Sequence, residues 1–263
     1  MFKKMKILLY FMVPFVLMNP YSHVSALDVQ SSVLLKINEY YIIYTAPKAP
    51  YMDQQNRLMI PLRSISELIG ADVKYDSTKK TARIAFDESI LEVTIDSSNV
   101  RINGVSTKMD TKPVLNENSV FVPLKFLIEV FKLDTTWDKN RNLVSVKVDR
   151  DKLNKNILHN DEVDGFAGRY VESKDLQPTN MTMTIDLKTN EPSFVSITVK
   201  NVGDEKIYDT FIHMYYLYER GIVVPDGGPD ELEPNETYTW KGNVAYASKL
   251  KYILISSRFF DNK

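Results

Sequence analysis

Apolar and polar positions run through residues 60–86 in an order that returns, degenerately, at 122–148. Across this offset of 62, Pro61/Pro123, Leu62/Leu124, Glu67/Glu129, Asp72/Asp134 and Asp76/Asp138 are identical. Arg63/Lys125, Ile65/Leu127, Tyr75/Trp137 and Ile84/Val146 keep their character. A repeat of this kind reads as one supersecondary unit that cannot bury its apolar face alone. Each copy predicts strand, turn, helix, strand, turn, strand. Leu58-Met59-Ile60 and Val120-Phe121-Val122 suit buried strand ends. Pro61 and Pro123 then suit a first helical turn, where a missing N–H costs nothing. Leu62, Ile65 and Leu68/Ile69 share one helix face, with Arg63, Ser66 and Glu67 facing out. The second helix offers Leu124, Leu127/Ile128 and Phe131. Gly70 stands where a left-handed residue closes a helix, whereas Lys132 in the second copy predicts a less sharp end. Strands at 72–76 and 134–138, turns at 77–80 and 139–142, and period-two runs through Phe86 and Val148 complete the copies.

Between the copies Leu91, Val93 and Ile95 alternate, and Asn103-Gly104 predicts a hairpin turn. Residues 149–161 are charged and amide-rich, with Leu153, Ile157 and Leu158 spaced for a short helix. Beyond them helix signals stop. Residues 181–187 and 194–200 alternate, 207–218 is one long aromatic and β-branched run, and 236–240 and 250–260 read as strands. Asn201-Val202-Gly203-Asp204 and the Pro225–Pro229 segment supply turns. The fold class expected is α+β, an antiparallel sheet packed on short helices with a duplicated half-motif, followed by a C-terminal all-β sandwich. The expected divisions are a signal peptide at 1–26, a repeated domain at 27–150, a linker at 151–160 and a β-sandwich at 161–263.

The residues that recur in register carry a resemblance. Ile60-Pro61-Leu62-Arg63 and Val122-Pro123-Leu124-Lys125, each followed by Glu and then Tyr75-Asp76 or Trp137-Asp138, resemble the copper amine oxidase N-terminal-like (stalk) domain. The resemblance covers about residues 33–148. Asn38-Glu39 stands where that family usually has Asn-Gly, Lys125 replaces the second Arg, and Lys132 the second Gly. It implies a sheet wrapped on a helix, an attachment or spacer role, and the company of secreted proteins of Gram-positive bacteria. The C-terminal layout loosely resembles immunoglobulin-like modules of bacterial envelope proteins, with Met214–Glu219 near a Phe-x-Leu-Tyr-Asp motif. Its Asn-x-Gly and Leu-x-Pro-x-Glu turns are also similar to those of secreted proteinase-inhibitor-like sandwiches. Such likeness is at the level of fold and does not carry function.

Lys3, Lys4 and Lys6, an apolar run at 7–18, and Val24-Ser25-Ala26 have the layout of a secretory signal peptide cleaved after Ala26. The run is shorter than the roughly 20 residues a spanning helix needs, so no membrane span is expected after cleavage. The chain has no cysteine, which excludes disulfides, thiolate metal sites and a lipid-modified cysteine anchor. Without the leader lysines, 30 Lys and Arg stand against 34 Asp and Glu, a net charge of −4. That balance argues against nucleic acid and anionic lipid as partners.

The copper in the family name does not extend to these residues. Amine oxidase catalysis needs three His ligands and a Tyr in an Asn-Tyr-Asp/Glu context. Past the leader the chain has His159 and His213, and no Asn-Tyr pair. Two isolated imidazoles do not make such a copper site. The acids among residues 226–236 lack an EF-hand register and read as a solvated loop. Tyr40, Tyr41, Tyr44 and Tyr51 have the chemistry to stack on sugar rings, but aromatics in β-rich chains more often pack. His213 reads as packing within a strand. No Gly-x-Ser-x-Gly elbow and no phosphate-cradling Gly loop occur. Asn180 and Asn235 match glycosylation acceptors, read here as chance. No catalytic residue, metal ligand or cofactor is therefore expected. The function expected is a non-enzymatic, exported envelope or extracellular protein, secreted and possibly wall-associated in location, with a spacer or attachment module and an interaction module. Its partner would be a cell-wall polymer or an extracellular protein. The alternative is an inhibitor or sensor of extracellular hydrolases acting through the sandwich loops, with residues 223–232 the place to look.

Overall fold

The computed structural model describes residues 23–27, 33–46, 50–116, 118–153, 170–172, 176–186, 188–189, 191–208, 212–225, 228–246 and 248–260. The structure is mostly β, with only two short α-helices, so the expected α+β class holds only in part, through the strand-rich, sandwich-like content. Strands β1 (His23–Leu27), β2 (Leu34–Ile37), β3 (Tyr40–Thr45), β4 (Tyr51–Met52) and β5 (Leu58–Pro61) lead into helix α1 (Leu62–Leu68). Then come β6 (Asp72–Asp76), β7 (Thr81–Phe86), β8 (Ser89–Thr94), β9 (Asn99–Ile102), β10 (Val105–Lys108), β11 (Val114–Asn116) and β12 (Ser119–Pro123). Helix α2 (Leu124–Phe131) precedes β13 (Asp134–Asp138), β14 (Leu143–Lys147) and a 3-10 turn at Arg150–Lys152. The C-terminal strands are β15 (Tyr170–Glu172), β16 (Leu176–Asp186), β17 (Glu191–Asn201), β18 (Ile207–Tyr208), β19 (Ile212–Tyr218), β20 (Gly221–Val223), β21 (Glu231–Leu232), β22 (Thr237–Asn243) and β23 (Leu250–Phe260).

Equivalent elements occupy equivalent positions in the two copies, strand into helix into a hairpin. β5 and β12 pair antiparallel with Pro61 opposite Phe121, Ile60 opposite Val122 and Met59 opposite Pro123. Ile60 and Val122 are equivalent across the offset of 62, so the copies meet about a local two-fold axis through that pair. Both prolines end their strands at the helix N-cap, with ψ of 110° and 131°, rather than entering the first turn. There each ring sits where the strand hands over to the helix, and its missing N–H is again no loss. The helices have seven and eight residues.

Backbone conformation repeats as well. Asn56/Asn118, Gly70/Lys132 and Lys80/Asn142, all one offset apart, have positive φ. Gly70 follows α1 with φ of +87°, as its position predicts. Lys132, expected to loosen the second helix end, instead adopts the left-handed conformation itself (φ 51°, ψ 42°), and Leu133 N–H reaches back to Ile128 O. The end is sharp in both copies because the hydrogen-bonded cap outweighs the cost of a Cβ there. Ser66, expected outside, is fully buried, since α1 lies against β5, β6 and β12 and more than one stripe is covered. Asp76 and Asp138 each accept two backbone N–H groups of the following turn, from Thr78 and Lys79 and from Asn140 and Arg141. Their recurrence is turn chemistry, not catalysis. Asn103 and Gly104 (φ 50° and 81°) make the type I′ turn joining β9 to β10.

The hairpins that follow the helices part company. β6 and β7 join the sheet β10-β9-β8-β7-β6, whereas β14 runs parallel to β2. That places β13 and β14 at one end of a central sheet, β13-β14-β2-β3-β23-β19-β20, with β15 also on β23. This sheet contains strands from both sides of the region 151–160. Of that expected linker, residues 154–160 lie outside the described residues, while Leu153 is buried. The central sheet is covered on both faces. Tyr40, Ile42, Tyr215, Leu217, Tyr252 and Leu254 face a core shared with both helices and the β6–β10 sheet. Tyr41, Ile43, Met214, Tyr216, Ile253 and Ile255 face a second core against the sheet β1-β16-β17-β22. The sandwich-like layering expected of the C-terminal segment is therefore built partly from strands of the repeat. The run at 207–218 is divided, since β18 pairs with β21 while β19 pairs with β23. The leader expectation lies outside the described residues except at 23–27, where β1 pairs with β16 from His23–Ile185 to Leu27–Met181.

Candidate functional site

The local axis relates two surface grooves. The first, of about 500 Å³, lies beside α1 and takes in Arg63, Ser64 and Glu67 with Asn118 and Ser119 from the other copy. The second, of about 700 Å³, lies beside α2 and takes in Lys125, Phe126 and Glu129 with Asn56 and Arg57. All five positions correspond across the offset. Each groove thus joins one copy's helix to the other copy's turn, which is why neither copy alone forms it.

The remaining walls differ. In the first groove Leu62, Val73, Ala82 and Val120 form an apolar floor, with Tyr75 and Leu115 at the rim and Lys251 from β23 at one end. Tyr75 is 41% exposed and Arg63 is exposed. In the second groove the wall comes from β9, β10 and residues 107–110 instead, because α2 packs on β8 where α1 packs on β6. Trp137, the equivalent of Tyr75, is 48% exposed but stands outside that lining.

Glu67 and its neighbours are held by the C-terminal segment. Lys251 Nζ donates to Glu67 Oε2 at 3.0 Å. The Tyr252 hydroxyl lies 3.2 Å from Ser64 O and 3.3 Å from Glu67 Oε2, and burial first, then the Glu67 charge, pushes its phenol well above the ordinary tyrosine range. That phenol is a fixed donor, not a base. Arg63 forms no ion pair among the described residues and is exposed at the rim. A second polar tie between the segments is Arg141, which donates to Tyr41 Oη at 2.7 Å and Gln177 Oε1 at 3.1 Å. Arg150 donates to the buried Glu39 at 2.7 Å.

The residues weighed from the sequence fall elsewhere. Tyr40 and Tyr41 are buried in the two cores, which is the packing role preferred for them over sugar stacking, and Tyr44 and Tyr51 are half-buried. Tyr40 meets Tyr215 edge to face at 5.8 Å. His213 is half-buried against the Tyr215 ring, and His159 lies outside the described residues. Of the acids near 226–236, Glu231 and Glu233 flank Lys206 at 2.9 and 2.7 Å and hold its ammonium pKa up. Residues 226–227 lie outside the described residues. Among the described residues no group of three or more His, Cys, Asp or Glu is placed to hold a metal. The groove beside α1 was missed at the level of sequence. The recurring Arg63, Glu67 and Tyr75 were its signal, but their convergence depends on β12 and β23.

No curated protein matches the chain. Residues 36–146, from within β2 to within β14 and spanning both copies of the repeat, match the family model of the copper amine oxidase N-terminal domain, a non-catalytic, stalk-like module.

Proposed function

We propose that this chain is an exported, non-catalytic protein of the bacterial envelope or its surroundings, in which the repeated module serves attachment or spacing and the C-terminal strands present an interaction surface. The observation that carries the reading is the family match over both copies, to a module that is itself non-catalytic. The leader-like residues at 1–26 support export. The side chains a catalytic reading would use are otherwise engaged. Glu67 is tied to Lys251, Asp76 and Asp138 close turns, and Glu231 and Glu233 hold Lys206.

Incubation with purified Gram-positive cell walls tests this. The protein is expected to pellet with the walls across a salt series, weakening only in part as salt rises, because the groove joins an apolar floor to one exposed guanidinium. Failure to pellet at any salt concentration overturns wall attachment and turns the reading towards a soluble protein partner. The inhibitor alternative rests on residues 223–232, where Val224 is exposed while Leu232 is buried and anchors the loop's far end. Protease assays in the host's medium separate the two readings.

A further inference from the structure

We infer that the groove beside α1 binds a pyranoside that carries a carboxylate. The inference rests on the attachment reading and names its ligand class. Three features converge. First, Tyr75 presents an aromatic ring on the exposed edge strand β6, at the rim of an apolar floor, which is the arrangement that stacks on the C–H face of a sugar. Second, Arg63 offers a guanidinium on the same rim. Its fork matches a carboxylate in both shape and charge, and the nearest acid on its helix face, Glu67, is already held by Lys251. Third, Ser64, Asn118 and Ser119 line the wall with hydroxyl and amide groups suited to ring hydroxyls. A volume of about 500 Å³ lies within the ordinary range for small-ligand sites.

The second groove serves as an internal comparison. It keeps the cation, the carboxylate and the turn, yet Phe126 replaces the Ser64 hydroxyl and is packed against the core instead of standing exposed as Tyr75 does, and no Tyr or Trp lies in its lining. It is expected to bind such a ligand weakly or not at all.

The test uses two disaccharides that differ by one lactyl group with its carboxylate: N-acetylglucosamine–N-acetylmuramic acid and N,N′-diacetylchitobiose (here chitobiose). Each is titrated into the full protein and followed by backbone amide shifts. The acidic disaccharide is expected to bind about tenfold more tightly, with shifts centred on residues 63–75 and 118–120. Arg63→Ala should reduce its affinity to that of chitobiose, while Tyr75→Ala should weaken both. Both side chains are exposed, so neither change should unfold the protein, and unchanged shifts elsewhere would verify this. Equal affinity for the two disaccharides, or shifts that ignore both substitutions, overturns the inference. If the wild type pellets with walls but the two variants pellet equally well, the groove fails and attachment stands. If the wild type does not pellet, attachment fails and the titration alone decides the groove.

Discussion

At Gly70 a Cβ would lie 1.5 Å from the carbonyl oxygen of Lys152, and the φ of +87° is one that side chains rarely adopt. The approach of the 150–152 turn and the left-handed backbone therefore both require glycine there. Lys132, at the equivalent point of the second copy, also has a positive φ, of 51°, with a Cβ in place. The two positions make opposite predictions. Gly70→Ala should cost about 3 kcal/mol or more, since backbone atoms must move. Lys132→Gly should stabilise by about 0.5 kcal/mol, the relief of left-handed strain less the entropy cost of glycine. Urea denaturation of the two variants checks both signs, and a stabilised Gly70→Ala would contradict the close approach to Lys152. The Gly at 70 was legible in the sequence as a helix stop. Its collision with Lys152 was not, because that contact spans 82 positions and depends on where the 3-10 turn is carried.

In β7, β16 and β17 one face meets a core and the other meets solvent or a thinner layer, so apolar and polar residues alternate as read. β3, β19 and β23 instead read as continuous apolar runs because the central sheet is buried on both sides, and each strand sends successive side chains into different cores. A continuous run tells of burial on two faces without saying which neighbours provide it. This double burial has a titration consequence. Burial raises the phenol of Tyr216 to about 12 and moves those of Tyr218 and Tyr252 in the same direction, the last also through Glu67. Tyrosine in the unfolded chain ionises near pH 10. Each raised value therefore contributes stability that is complete below about pH 10 and is lost as pH climbs towards the folded values. Tyrosinate absorbance is expected to rise in two phases, the second coinciding with loss of the β-sheet circular dichroism signal. Ionisation of all fifteen tyrosines while the sheet persists would contradict the double burial.

Over the whole molecule, the pairing of β3 with β23, from Thr45–Tyr252 to Tyr40–Ser256, joins the repeat to the C-terminal segment edge to edge. Each core draws on both segments, with Tyr215 and Leu254 packed beside the helices and Leu34 and Leu143 packed beside β16 and β17. Arg141 and Lys251 add polar ties across the same boundary. Calorimetry should therefore show one cooperative endotherm for the full chain, and two separated endotherms would mean that the shared sheet does not couple the segments. The 62-residue echo, the two helices, the hairpin at Asn103-Gly104 and most strand positions were legible because periodicity, Pro and Gly placement and Asx turns are local and act through neighbouring residues. The parallel union of β14 with β2, the dyad through Ile60 and Val122, the division of 207–218 between two sheets and the groove beside α1 were not. Backbone ladders are chemically alike, so a strand's own residues say which face is apolar but not which distant edge it meets. That choice falls to shape complementarity and chain closure over a hundred residues or more, and it becomes definite once both cores are packed together.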